Sequence, residues 1–420
     1  MSSRCFFTLS WLLLGMLSIQ FCSADQPGPH ASLFGRVMCG YQGWFSTPAD
    51  ATGWRHYGFE KPGQCHIDLW PDLAEFSAEE RHDTPLRLPE GRPAQVFSSA
   101  NPATVRRHLQ WARDHGIDGL FLQRFGASVR DRQNRAFCDA VLTQVRASAE
   151  ATGRSFAVMY DLSGLRAGEI ERVVMQDWKY LRQELRVLDS PAYQHHAGRP
   201  LVAVWGIGFG DARDYTLEEC HSLLRFLRDN PEFGGLSVMA GVPWSWRTLD
   251  RDATADPQLH QVLAKADVIS PWAVGRYHDL DSAARLIREV HAADAAWCLE
   301  RGKDYLPVLF PGFSWANLMR LRGQEAPLNQ VPRLGGRFLW HQARQRLRHG
   351  ATMLYVAMFD EMDEATAIFK TTAQVPVGMV GFVTEPELPS DHYLWLTGQI
   401  GRALRREIPL SDNLPARPAP

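Results

Sequence analysis

The chain has 420 residues, with 45 Lys+Arg against 47 Asp+Glu and a formal charge of −2. Its 45% hydrophobic and 22% charged residues are ordinary for a globular protein and exclude a wholly disordered one. The balanced charge offers no basic surplus for nucleic acid, and beyond the N-terminus no apolar run is long enough to span a bilayer.

The first element is an address. Arg4 precedes an apolar run over residues 6–21, and Cys22-Ser23-Ala24 leads into polar Asp25-Gln26. A basic start, an apolar centre and a small-residue exit predict a signal peptide over 1–24 rather than a membrane anchor. The expectation is a secreted or periplasmic protein, free of the membrane after cleavage. Losing Arg4 and no acid gives 44 − 47 = −3 for the mature chain. Cys39, Cys65, Cys138, Cys220 and Cys298 stay behind; an oxidising compartment permits a bridge such as Cys39 with Cys65, and an odd count leaves one thiol over.

Eight apolar, β-rich runs follow, at 37–45, 119–125, 156–162, 201–207, 236–242, 268–274, 305–310 and 353–359. They are nearly continuous in apolar residues, as strands buried on both faces are. Helical patterns fill the gaps. Asn101-Pro102 caps a helix over 103–115, and Thr216 with Glu219 forms a capping box ahead of 217–229. Further helices are predicted at 130–151, 168–188, 258–266, 283–301, 336–349 and 392–405. Strict alternation of eight and eight predicts an α/β fold, a (β/α)8 TIM barrel in one domain over 25–409. An open doubly wound sheet is the alternative, but no Gly-rich phosphate loop follows the first strand. One long insertion, 46–99, separates the first strand from its helix, and 410–420 reads as a flexible Pro-rich tail.

Loops after the strand C-termini build the site of such a barrel. Those positions hold Tyr41, Trp44, Arg124, Asp161, Trp205, Trp244, Trp246, Trp272, Tyr277 and Trp315. Six of the fourteen Trp fall on this rim, and large amphipathic aromatics around a cleft suit a sugar ring. The alternative is that each packs under its own loop. Tyr41, Trp44, Arg124, Asp161, Trp205, Trp244, Trp272 and Tyr277 are taken as substrate-binding candidates.

The last strand ends in Asp360-Glu361-Met362-Asp363-Glu364, four carboxylates in five residues. Crowding and burial raise carboxyl pKa values, and glycosidic hydrolysis needs one carboxyl to protonate the leaving oxygen and a second as base or nucleophile. Two Glu three apart share a cleft only if the strand gives way to a tight turn near Glu361. An acidic helix start is the competing structural explanation. A divalent-metal site is a third, but no His or Asn at ligand spacing accompanies the acids, so no metal and no cofactor is expected.

With these residues, the chain resembles glycoside hydrolase family 99, the endo-α-mannosidases and endo-α-mannanases, and its wider grouping with family 71. The family's Glu-Trp-His-Glu on strand eight corresponds to Glu361-Met362-Asp363-Glu364, with the same Glu spacing and two different middle residues. Tyr41-Gln42-Gly43-Trp44-Phe45 and Phe310-Pro311-Gly312-Phe313 are similar to its strand-one and strand-seven ends. The resemblance implies a (β/α)8 barrel and a retaining mechanism through a 1,2-anhydro sugar. It implies Glu361 as the base assisting the substrate 2-hydroxyl and Glu364 as the acid/base at the leaving oxygen. The expectation is therefore an exported retaining α-glycoside hydrolase acting on an oligo- or polysaccharide, with a carbohydrate substrate, as a monomer. The alternatives are a non-catalytic carbohydrate-binding barrel and a surface scaffold without a cleft.

Overall fold

The structure, a computed structural model, describes residues 30–417 apart from Pro62, Met379 and Val380. The expected signal peptide lies outside the described residues. In chain order the strands are β1 (Val37–Tyr41), β2 (His82–Arg87), β3 (Pro93–Val96), β4 (Gly119–Phe125), β5 (Ser155–Asp161), β6 (His195–His196), β7 (Arg199–Trp205), β8 (Ser237–Val242), β9 (Val268–Pro271), β10 (Asp304–Tyr305), β11 (Val308–Leu309) and β12 (Leu354–Val356).

One sheet runs β10-β9-β8-β7-β5-β4-β1-β12-β11, parallel at every step, and β6 adds to β7 antiparallel. Its two outermost strands are consecutive pieces of one segment. Leu306 N–H donates to Ile269 on one side, and Pro307 C=O accepts from Tyr355 N–H on the other. The sheet therefore curls until both ends reach the same stretch of chain. Pro307 explains the break in the predicted seventh run: it accepts a ladder bond and has no N–H to donate.

Alternate side chains leave the sheet in opposite directions, and the core is split accordingly. Met38, Phe121, Met159, Ala203 and Met239 meet in one cluster inside the curl. Their neighbours Cys39, Leu122, Val158, Val204 and Ala240 join a second cluster with the helical residues Leu109, Val141 and Leu224. Gly40 faces Met358, where a Cβ would lie 2.2 Å from the Met358 Cε, so the inner space there is filled by the methionine.

Local signals set the helices. Asn101 Oδ1 accepts from the Ala103 N–H to open Pro102–Asp114, and the Thr216 capping box opens Leu217–Asp229. Helices also lie at Leu280–Glu300, Arg337–Arg348 and His392–Leu404, each close to its predicted span. Asp131 caps Arg132–Thr152, the helix predicted at 130–151, and a short helix at Gly126–Val129 that was not predicted precedes it. One predicted helix is divided. The stretch predicted at 168–188 opens as a π-helix, Ile170–Met175, before Gln176–Gln183. The insertion carries the antiparallel β2–β3 hairpin, which was not predicted. All five described cysteines are free, so the permitted bridge does not form. Within the expected tail, Ser411 accepts from the Trp340 indole and Asp412 pairs with Arg344 and Arg348.

Candidate active site

β12 stops at Val356, and a tight turn over Met362–Ala365 follows, so the strand yields before Glu361 as the two-carboxyl arrangement requires. Ala365 N–H donates to Met362 C=O and Ala367 N–H to Glu361 C=O, which closes the turn between the two Glu. Three elements hold it. Asp360 accepts from the Gln42 and Gly43 N–H groups at 2.7 and 2.9 Å, tying it to the end of β1. Asp68 of the insertion donates its N–H to Met362 C=O, while its buried carboxylate accepts from Ser314 and from the N–H groups of Ala316 and Asn317. Ser314 N–H in turn donates to Glu364 C=O. The insertion, ahead of its hairpin, thus delivers the clamp on the acidic turn.

The electrostatics separate the two Glu. Glu361 is buried and accepts from Gln42 Nε2 at 2.8 Å and from the Thr366 hydroxyl at 2.7 Å. Burial pushes its carboxyl up, with the charges of Glu364 and Asp363 adding to it and the Thr366 bond opposing. Glu364 is half-buried and pushed up to about 7, by desolvation and then Asp363, against a pull from Arg322. Its side chain has no hydrogen-bond partner among the described residues. Two interacting carboxyls release their protons as a pair. Both are raised by burial and by neighbouring carboxylate charge, and they differ in their partners: Glu361 accepts from two donors and Glu364 from none among the described residues. Asp360 is likewise raised to about 7 by burial, against its two backbone donors. Asp363 accepts from or pairs with His56 at 3.3 Å.

Strand parity sorts the other predicted residues. Asp161, Trp205 and Trp272 leave their strands inward, toward the mouth. Asp161 is raised to about 6 by burial while accepting from Ser163 N–H. Half-exposed Trp205 and Trp272 meet edge to face at 5.5 Å, and Trp272 approaches Tyr355, whose hydroxyl feels the charges of both Glu361 and Asp161. Trp44 is half-buried, stacked on His56 at 3.8 Å and on Phe125 at 5.3 Å. Trp315 is half-buried against Phe313.

Four predicted contacts are corrected. Tyr41 is fully buried on the outer face, its hydroxyl bonded to His108. Arg124 is also outward and buried, and its guanidinium grips Asp177 at 2.6 and 2.7 Å and Asp139 at 2.7 Å. Trp244 lies under the Arg346 guanidinium and against Tyr277, and Tyr277 donates to Gln342. All four are buried. Trp246, counted in the rim, is fully buried edge-on to Trp297.

The inward neighbours of Tyr41 and Arg124 are Gln42 and Gln123, and the sequence reading missed both. With Trp44, Arg55, His56 and Phe125 they line a cavity of about 200 Å³. It lies beside the Glu pair rather than over it, with Gln42 as the shared wall. No group of His, Cys, Asp and Glu among the described residues is arranged to hold a metal.

No protein-family model and no curated protein matches the chain. Two solved structures of a GH99 endo-alpha-mannosidase from Bacteroides thetaiotaomicron are similar in fold. One, with BIS-TRIS-propane bound, superposes with a TM-score of 0.63 at 14% identity, over 90% of this chain and 99% of that one. The other gives 0.62 at 14% identity, over 89% and 99%. The resemblance expected from the sequence is met at the level of the fold.

Proposed function

We propose that this chain is an exported retaining α-glycoside hydrolase acting on an oligo- or polysaccharide, an α-mannoside among the candidates. The curled sheet is then the eight-stranded (β/α)8 barrel of that reading, with the segment 304–309 as its single seventh strand. The observation that carries it is the pair of carboxyls at either end of one clamped turn, one supplied with two donors and the other with none. Its support is the full-length likeness in fold to an endo-alpha-mannosidase. Export rests on the N-terminal sequence pattern alone.

The division of donors matches the division of labour. Glu361, held by Gln42 and Thr366, is in its carboxylate form the base that takes the proton of the sugar 2-hydroxyl as that oxygen attacks the anomeric carbon. Glu364, which holds the proton near neutrality, gives it to the departing glycosidic oxygen. The 1,2-anhydro sugar so formed is opened by water that Glu364, now a carboxylate, deprotonates, while Glu361 returns a proton to the 2-oxygen. Two displacements at one carbon retain its configuration. The half-exposed faces of Trp205 and Trp272 give the sugar an apolar surface at the mouth.

NMR of the first product formed from an α-linked oligosaccharide tests this. The expected product is the α-anomer; initial release of the β-anomer contradicts the mechanism. The alternative, a binding barrel without turnover, predicts retention of glycan with no new reducing ends.

A further inference from the structure

The cavity beside the Glu pair has a chemical character of its own. Arg55, half-buried on the insertion, lines it and makes no ion pair or side-chain hydrogen bond among the described residues. Arg124 and Arg213, by contrast, are held by Asp177 and Asp211. Two further walls carry unmet acceptors. Gln42 and Gln123 are 8% and 9% exposed, and the Oε1 of each is buried with no partner. Gln42 already uses its Nε2 on Glu361, which fixes its Oε1 as an acceptor. Buried polar groups left unpaired are costly, so each of these oxygens gains from a donor brought into the cavity.

We propose that this cavity is a sugar subsite for an acidic residue of the substrate, a hexuronate, and this rests on the hydrolase reading. Its hydroxyls donate to Gln42 Oε1 and Gln123 Oε1, and its carboxylate pairs with Arg55. A guanidinium presents a planar fork that matches a carboxylate in two parallel hydrogen bonds, which an ammonium does not. The Arg55 guanidinium lies over the Phe137 ring at 5.9 Å, which holds it at the cavity wall. Because Gln42 bonds both the ligand and Glu361, occupancy of the subsite also holds the base in place. The sequence therefore selects acidic glycans rather than neutral ones.

The test is calorimetric titration of the intact Glu364→Gln protein with α-linked oligosaccharides bearing hexuronate, and with the same compounds after their carboxyls are reduced to alcohols. The uronate form is expected to bind roughly tenfold or more tightly, the value of one charged hydrogen-bonded pair. Adding Arg55→Gln brings the ratio to about one, and Arg55→Lys leaves it in between; circular dichroism confirms that each variant is folded. Equal affinity of the matched compounds, or a preference that survives Arg55→Gln, overturns the acidic subsite. Turnover of neutral α-glycans by the native protein in that case leaves the hydrolase reading standing. Absence of turnover on every glycan overturns both.

Discussion

The two faces of β1 and β4 end one residue apart and do opposite work. Tyr41 and Arg124 turn outward into the helices and are closed off by His108, Asp177 and Asp139. Gln42 and Gln123 turn inward to the mouth and keep an acceptor free. The outward residues carry the more reactive-looking side chains, yet the inward ones border the site. At the end of a strand in this curled sheet, parity decides function before residue type does.

The comparison breaks most sharply at Arg124. Arg124→Ala leaves the Asp177 carboxylate buried without its cation and is expected to destabilise the fold by about 3–5 kcal/mol, read by urea unfolding. Gln123→Ala, its inward neighbour, is expected to cost roughly 1 kcal/mol or less while weakening glycan binding. Equal losses at the two positions would contradict the split into faces.

A second effect concerns Glu364. Its carboxyl holds a proton more tightly in the folded chain, up to about 7, than at its ordinary value of 4.5. The folded state therefore binds more protons in that window, and stability falls as pH rises from 4.5 through 7. Glu364→Gln is expected to stabilise the protein by ~1–3 kcal/mol at pH 8, with the gain vanishing below pH 4.5, in thermal scans across pH. A constant difference at every pH would remove Glu364 from the buried pair. Activity is expected to decline on the alkaline side as the same proton is lost.

Smaller effects sharpen the picture. Gln42→Leu removes one of the two donors to Glu361, and turnover is expected to fall about tenfold, the worth of roughly one hydrogen bond to a charge, with the acid limb of the pH profile shifted upward. Asn101→Ala, at the cap of Pro102–Asp114, is expected to cost about 1 kcal/mol in stability and nothing in turnover.

Much of this was legible in the sequence. Apolar runs and caps located the strands and most helices, because continuous burial and N-caps are local signals. The acidic turn was legible because its spacing is local too. The faces were less so: Tyr41 and Arg124 stand beside Gln42 and Gln123, and one residue of register separates a buried anchor from a site wall. Trp244 and Trp246 show the same limit, since an aromatic on a rim reads alike whether it lines a cleft or packs beneath it. The Asp68 clamp was invisible because its partners, Ser314, Ala316 and Asn317, lie far along the chain. The break of the seventh strand at Pro307 and the cap at Asp131 could have been read from the residues themselves.

Digestion of a glycan library, read by mass spectrometry, with the native chain and with folded Glu361→Gln and Glu364→Gln variants, tests the central claim directly. The native chain is expected to shorten at least one α-linked glycan, and each variant to do so about 10²–10⁴-fold more slowly. Near-native turnover by either variant would contradict the assignment of the chemistry to this pair.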